Sequence, residues 1–388
     1  MSLVLLLATG AVDGLGSATD RRIAITFFIY LMVALGIQTF ATSGIISFGH
    51  VSFMAIGAYT AAILTTPVQV KAQSVPDSPA FLLHAHLGFV EATAIGVAVT
   101  MLLALLVGFP IVRLSGAAAA VATLGLLIIT YTVLSNYETV TRGAKVFYGI
   151  PPYTGLYTGL AFSVPAILVA RLLRDSDVGI CLRASRGDEL AARSSGVEVA
   201  GVRLVAWVLS AGLCALGGSL YAHYVLAISP NAFYFGVTFI TLTIVIIGGS
   251  TISGVVVSAG LVNVMVELLR RAENGLTIGP LTLAQAPGLS TIAVAALVLL
   301  TMLIRPKGLL GRWEVDEWLM RLFTARRSLH RTADAPRTGG VPSEIGGPGF
   351  RRTDHAHDDA RSSPETVGSS GELPGQPSGS DVGNVGKS

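Results

Sequence analysis

Charged residues are scarce in this sequence: Asp, Glu, Lys and Arg make up 13% of its 388 residues, while 52% are hydrophobic. An ordinary soluble domain carries about 25% charged residues, so one water-soluble core does not account for this chain. Cysteine is nearly missing as well. Cys181 falls beside a charged loop and Cys214 inside an apolar run, which excludes a disulfide-stapled scaffold. The formal net charge is only +3 and the basic residues lack interleaved aromatics, so no nucleic-acid partner is expected. The alternating apolar and polar pattern of a barrel strand is also absent.

What the sequence does have is long apolar runs. Clear ones cover 22–42, 89–112, 116–137, 156–173, 203–227 and 288–304. Each is near the roughly 20 residues that a helix needs to cross a hydrocarbon layer about 30 Å thick. Three further regions are less regular: 44–66, the long stretch 234–270 broken near "IGGSTISG", and the N-terminal "SLVLLLATGAV". No Lys or Arg precedes that N-terminal run, so it is expected to be a clipped or tilted first helix and not a cleaved signal. The fold class that follows is an all-α polytopic membrane protein of about ten transmembrane helices, eight to ten by this count.

An even number of spans puts both termini on one side, and basic loops decide which. Arg174, Arg183, Arg186, Arg193 and Arg203 crowd the loop 174–203, and Arg305, Lys307, Arg312, Arg321, Arg326 and Arg327 follow the last run. Both clusters are expected in the cytoplasm. Arg21, Arg22, Arg142, Lys145, Arg270 and Arg271 then fall on the outer face as a minority. The chain divides into a transmembrane domain over 1–312, a basic juxtamembrane segment over 313–332, and a tail over 333–388. The tail is rich in Gly, Ser, Pro, Asp and Arg and is expected to be disordered. Its "DHAHDD" has metal-ligand residue types without a scaffold to hold them, so no metal is expected. The terminal "NVGKS" lacks the first glycine of a phosphate-binding loop, since position 381 is Asp. No cofactor is expected, and any ATP must be handled by a separate chain.

Four stretches carry more than hydropathy. "GIISFGHVSFMAIGAYTAAIL" (44–64) combines Gly44, Gly49 and Gly57 with Ser47, His50 and Ser52, types that at membrane depth either pack helices together or line a polar path. For His50 an interhelical hydrogen bond competes with a pathway role. "RLSGAAAAVATLGLLIITYTVLSN" (113–136) is a small-residue helix that suits an interhelical contact, with Thr123 and Gly125 as candidate pathway positions. "TRGAKVFYGIPPY" (141–153) is an outer loop that either connects or docks an external partner.

The fourth stretch, "RASRGDELAARSSGVEVAG" (183–201), concentrates six charged residues. Ser185 and Asp188 have capping-box spacing, Asp188 and Glu189 suit a first turn, and Gly196 suits a left-handed cap. A two-turn helix outside the membrane is expected. Its small surface at Ala191 and Ala192, with Arg186 and Arg193 around it, would let another protein approach.

Several motifs together resemble the permease subunits of ABC importers for branched-chain amino acids, in the LivM-like branch. They are "SFGHVSFMAIGAYTAAIL", "LSGAAAAVATLG", "GIPP", "RASRGDELAARSSGV", "LSAGLCALGGSLYAHYVLAISPNAF", "IIGGSTISG" and "RPKGLLG", spread over roughly 22–311. The resemblance implies a transport subunit and not an enzyme, in the inner membrane of a bacterium and working by alternating access. It also implies partners: two ATPase subunits, a second homologous permease, an extracytoplasmic substrate-binding protein and membrane lipid. Arg186, Asp188, Glu189, Ala191, Ala192 and Gly196 would then form the coupling loop that meets the ATPase. Reversing Glu189 to Lys is expected to uncouple transport while leaving the fold intact, because the residue lies outside the membrane.

The solute expected from the resemblance is leucine, isoleucine or valine. Two departures keep urea, short amides or another small solute open: Leu126 to Ile129 stand where many relatives carry an acidic residue, and "TRGAKVFYGIPP" stands where relatives often have a double Gly and Asn. A secondary transporter would show paired charges within spans, where this chain has only Glu91 and Glu267 near span ends. A membrane enzyme would cluster His and carboxylates, whereas His50, His84, His86 and His223 are scattered.

Overall fold

A computed structural model describes residues 2–273 and a few positions between 277 and 296. Most of the run 288–304, the motif "RPKGLLG", the segment 313–332 and the tail 333–388 lie outside the described residues. The chain begins with α1 (Ser2–Leu15) and α2 (Ala18–Ala41). Helix α3 (His50–Thr65) turns through 119° into α4 (Val68–Ser74), and α5 (Ala80–His84) leads to α6 (Phe89–Ile111) and α7 (Gly116–Asn136). After α8 (Glu138–Thr141) and a short strand β1 (Phe147–Tyr148) come α9 (Leu156–Asp175), α10 (Asp177–Gly187), α11 (Glu189–Ser194) and α12 (Val199–Val225). Strand β2 (Ala227–Ile228), a 3-10 turn (Pro230–Phe233), α13 (Phe235–Gly248) and α14 (Ile252–Glu273) follow, and an antiparallel pair, β3 (Thr277–Ile278) and β4 (Leu281–Thr282), completes the described architecture.

Seven of these helices are long and apolar enough to cross a membrane, or eight if the bent pair α3 and α4 is one span. Helix α1, 14 residues and about 21 Å long, falls short of that length alone. Among the described residues this is roughly consistent with the expected eight to ten helices of an all-α polytopic membrane protein.

Local chemistry sets the boundaries. Ser17 and Asp20 form a reciprocal cap on α2, with the Ser17 amide donating to Asp20 Oδ2 at 2.8 Å and the Asp20 amide to Ser17 Oγ at 3.3 Å. Pro110 sits in the last turn of α6, where the helix ends. The break expected in 234–270 is the turn between α13 and α14: Gly249 adopts φ +73, and the Gly254 amide donates to Thr251 Oγ1 at 3.1 Å.

Helix α12 is the hub. It runs antiparallel to α2, where Cys214 Sγ lies 3.6 Å from the Val33 carbonyl oxygen. It runs parallel to α3, with His50 beside Ser210 at one end and Thr65 beside His223 at the other. Lipid tails are as apolar as these side chains, so helices associate here through close packing. At Gly57 an added Cβ would stand 2.5 Å from the Ala215 carbonyl oxygen, and at Gly218 it would collide with that of Met54. Trp207, fully buried, donates from Nε1 to the Ala104 carbonyl at 3.0 Å and so ties α12 to α6.

The loop of α10 and α11 lies at one face of the bundle, and the antiparallel pair β1 and β2, with Phe147 opposite Ile228, lies at the other. The minority charges gather on the strand side. Arg21 pairs with Asp13 at 3.2 Å, Asp13 accepts from Tyr157 Oη at 2.6 Å, and Arg270 and Arg271 pair with Glu267 at the end of α14.

Gly218→Ala forces apart two touching backbones and is expected to cost at least the roughly 1–3 kcal/mol of an overpacked core. Gly236→Ala, where an added Cβ meets nothing within 4 Å, should leave the protein unchanged. Thermal unfolding of the two variants in detergent checks the contrast.

Candidate functional site: the charged loop and the α3 seam

The charged stretch folds as the end of one helix and the whole of the next. Ser176 caps α10, and α10 continues to Gly187. Asp188 then takes an extended conformation and caps α11, its Oδ1 accepting from the amides of Leu190 at 2.9 Å and Ala191 at 3.0 Å. Ser185 does not cap: it lies inside α10, and its Oγ donates to the Leu182 carbonyl at 2.9 Å. The expected capping box therefore does not form, because the helix that Ser176 starts is still running at Ser185 and the carboxylate of Asp188 takes the free amides. The other end matches the sequence reading. Gly196 has φ +85, its amide donates to the Arg193 carbonyl at 3.0 Å, and the Val197 amide donates to that of Ala192 at 3.1 Å. This pair of bonds is a Schellman closure.

Helix α11 thus has a built surface and a built base. Leu190 points outward at 78% exposure, beside exposed Ala191, Arg186 and Arg193. Ala192 is buried, so only Ala191 of the alanine pair contributes to the exposed surface. The Arg186 stem covers Gly44, whose φ of +86 and close contact with that stem suit glycine. At the base, Glu189 receives Arg193 Nη2 at 2.6 Å and Arg203 Nη2 at 3.0 Å. The Arg203 side chain is only 4% exposed. Glu189 and Arg203 are 14 positions apart and fall on different helices, so no local spacing announces their pairing. Leu190 was legible only as a lone large apolar residue in a charged stretch.

The candidate pathway residues separate into two groups. Ser47, Gly49 and Thr123 meet: the Gly49 amide donates to Ser47 Oγ at 3.3 Å, the Phe48 amide to Thr123 Oγ1 at 3.2 Å, and Gly49 abuts the Thr123 backbone. Gly125 stands apart, with nothing within 4 Å of an added Cβ. His50 is fully buried, 2.8 Å from Ser210 Oγ and ringed by Phe40, Phe53 and Trp207. Ser210 gives its single proton to the Trp207 carbonyl at 2.7 Å, so His50 Nε2 is the donor and Nδ1 is left an acceptor without a partner. Ser52 Oγ is likewise buried and unpartnered. His223 is fully buried between Phe89 and Tyr153, and its Nδ1 donates to the Ser219 carbonyl at 2.7 Å. Among the described residues no group of three or more His, Cys, Asp or Glu side chains could hold a metal.

The hydrogen bond from Arg193, helped by Arg203, holds the Glu189 carboxyl below its ordinary range of about 4.5. A carboxyl depressed in this way stabilises the fold at pH above its unfolded value, and the contribution disappears as pH falls through the lower folded value. Hydrogen exchange of the α11 amides, corrected for the intrinsic pH dependence of amide exchange, should therefore be flat from pH 7 to about 5 and accelerate in acid below the ordinary Glu value of about 4.3. Glu189→Lys should show the accelerated exchange at every pH, because it leaves the Arg203 guanidinium buried beside a like charge. The reversal is thus expected to loosen α11 locally in addition to uncoupling transport.

Comparison with known proteins places these features. Residues 21–304 match the family described as the branched-chain amino acid transport system permease component. Two curated relatives are the high-affinity branched-chain amino acid transport system permease proteins LivM of Salmonella typhimurium and Escherichia coli. Each is 28% identical over 326 aligned residues, covering 74% of this chain and 69% of the relative. No solved structure matches the chain. Its apolar spans, the polar Gly-rich start of α3 and the charged loop all fall inside the matched region, and the chain belongs to the branched-chain amino acid transport system permease family.

Proposed function

We propose that this chain is one permease of an ATP-driven importer that carries leucine, isoleucine or valine across the bacterial inner membrane by alternating access. The observation that carries the reading is α11: a six-residue helix capped at both ends, with Leu190 at 78% exposure among arginines and its base pinned by a buried ion pair. An apolar knob in a charged rim fits a cleft on another protein. In this reading Arg186, Asp188, Glu189, Ala191, Ala192 and Gly196 form the coupling loop, and two ATPase subunits dock on that face. A second homologous permease completes the membrane unit, and an extracytoplasmic binding protein delivers solute to the face of β1 and β2. The loop face and both termini are cytoplasmic, the working domain is 1–312, and 313–388 are a basic segment and tail beyond it.

The pathway runs past the start of α3. Of the seven buried side-chain polar atoms without a partner among the described residues, three are on this helix: His50 Nδ1, Ser52 Oγ and Tyr59 Oη. Buried groups of this kind point to water or solute that passes by them. Ser47, Gly49 and Thr123 flank the same entry, with Gly125 further along α7. Relatives named for branched-chain amino acids favour an aliphatic amino acid as solute, with urea or a short amide as the alternative.

Co-expression with candidate ATPase and second-permease genes from the same genome tests the reading. The wild-type chain should recover the ATPase in detergent, and deletion of 185–196 should abolish recovery. Leu190→Ala, an exposed substitution with no effect on folding, should weaken recovery by about tenfold or more, as truncation of an interface hot spot does. A chain that purifies alone and moves solute in vesicles without ATP would mean a secondary transporter.

A further inference from the structure

Arg203 is buried in the second turn of α12 with Glu189 as its counter-charge, and its Nε has no partner among the described residues. Glu189 can fall back on Arg193, which is on its own helix and 57% exposed, but Arg203 has no such substitute in the contacts that define this corner. A buried guanidinium stripped of its carboxylate is strongly unfavourable. Helix α11 therefore cannot be drawn away from α12 cheaply. The backbone on either side of α11 is built differently. Asp188 before it is extended and Gly196 after it is left-handed, so no continuous helix joins α11 to α10 or to α12, and the Glu189–Arg203 pair is what holds α11 on α12.

Helix α12 in turn is held all along its length. It has 27 residues, spans about 40 Å and contains no proline. Trp207 bonds α6, Ser210 meets His50 of α3, Cys214 contacts α2, Ser219 meets Thr93 of α6 at 2.6 Å, and His223 meets Thr65 of α3 at 2.9 Å. Just beyond its end, Ala227 and Ile228 pair with Tyr148 and Phe147. One unbroken element thus begins at the ion pair under α11 and ends at the strand clamp on the opposite face.

We propose that Arg203 is the positioning residue that ties α11 to α12, so that a displacement of α11 is delivered through α12 to the β1 and β2 clamp and the Thr65–His223 contact. The proposal rests on the reading of α11 as the ATPase-docking helix. Arg203 does not touch solute or nucleotide; it makes the docking helix and the central helix one mechanical body.

The test uses the full assembled complex and three forms of the chain: wild type, Arg203→Met and Arg203→Lys. Methionine fills the space without burying a charge, and it leaves Glu189 paired with Arg193, so folding and ATPase recovery should be kept. The readouts are melting temperature, ATPase recovery, and solute taken up per ATP hydrolysed. Arg203→Met is expected to lower uptake per ATP by about tenfold, the size of an ordinary coupling term, with melting and recovery unchanged. Arg203→Lys, which keeps a charge for Glu189, should restore part of that loss. Wild-type uptake per ATP in Arg203→Met overturns the assignment. So does a loss that merely follows a lower melting temperature and is no better in Arg203→Lys. Failure of the wild-type chain to recover any ATPase would instead overturn the importer reading beneath it.

Discussion

The contact on which this structure depends is the backbone approach of α12 and α3. Gly218 lies against the Met54 carbonyl and Gly57 against Ala215, so the two helices touch without side chains between them. In hydrocarbon, burial of apolar surface gives no net drive for helix association, and close packing has to supply it. With the two axes this near, His50 reaches Ser210 and Thr65 reaches His223, which fixes the register at both ends. Gly36 gives α2 the same access to Ser210 and Cys214. Helix α6 shows the opposite arrangement on its outer side, where Leu102, Leu106 and Phe109 are 57–65% exposed, as suits contact with lipid.

Polar groups inside such a bundle are tolerated when their own helix satisfies them. Thr39, Thr100 and Ser163 do this, each donating at 2.7 Å to a carbonyl one turn back. Against that background α3 carries three unpartnered atoms among the described residues, on His50, Ser52 and Tyr59, where α4, α12 and α14 carry one each. The same helix starts after a non-helical segment, 42–49, that passes under Arg186 and then beside Thr123. Irregular backbone at this depth is tolerated where it is buried in protein or lines a cavity. The loop face and the entry of α3 are therefore neighbours in space, although 142 positions separate Gly44 and Arg186 in sequence.

Much of this was legible in the sequence because hydrocarbon imposes length and composition on each span. The break in 234–270, the surface helix and its Gly196 cap are all local signals, and they appear where the residues put them. What could not be read is whatever depends on two distant segments. Ser185 has the right spacing to cap, but Ser176 starts a helix earlier and runs through it. Ala192 looks the same as Ala191 in sequence, and only the packing of α11 on the bundle turns it inward. The pairing of Glu189 with Arg203 joins a surface helix to a span, and no period of 3.6 links them. His223 sits between two tyrosines in sequence, but its ring neighbours Phe89 and Tyr153 come from other segments.

The central claim is that α11 and α12 move as one body that connects the two faces. Paired spin labels in the assembled transporter test it most directly, one at Ser194 on α11 and the other at Val225 at the far end of α12, with a second pair at Ser194 and Tyr157. Distances are measured with and without ATP. The account predicts an unchanged 194–225 distance and a shifted 194–157 distance. A 194–225 distance that changes with nucleotide, while α12 keeps its place against α9, would contradict it.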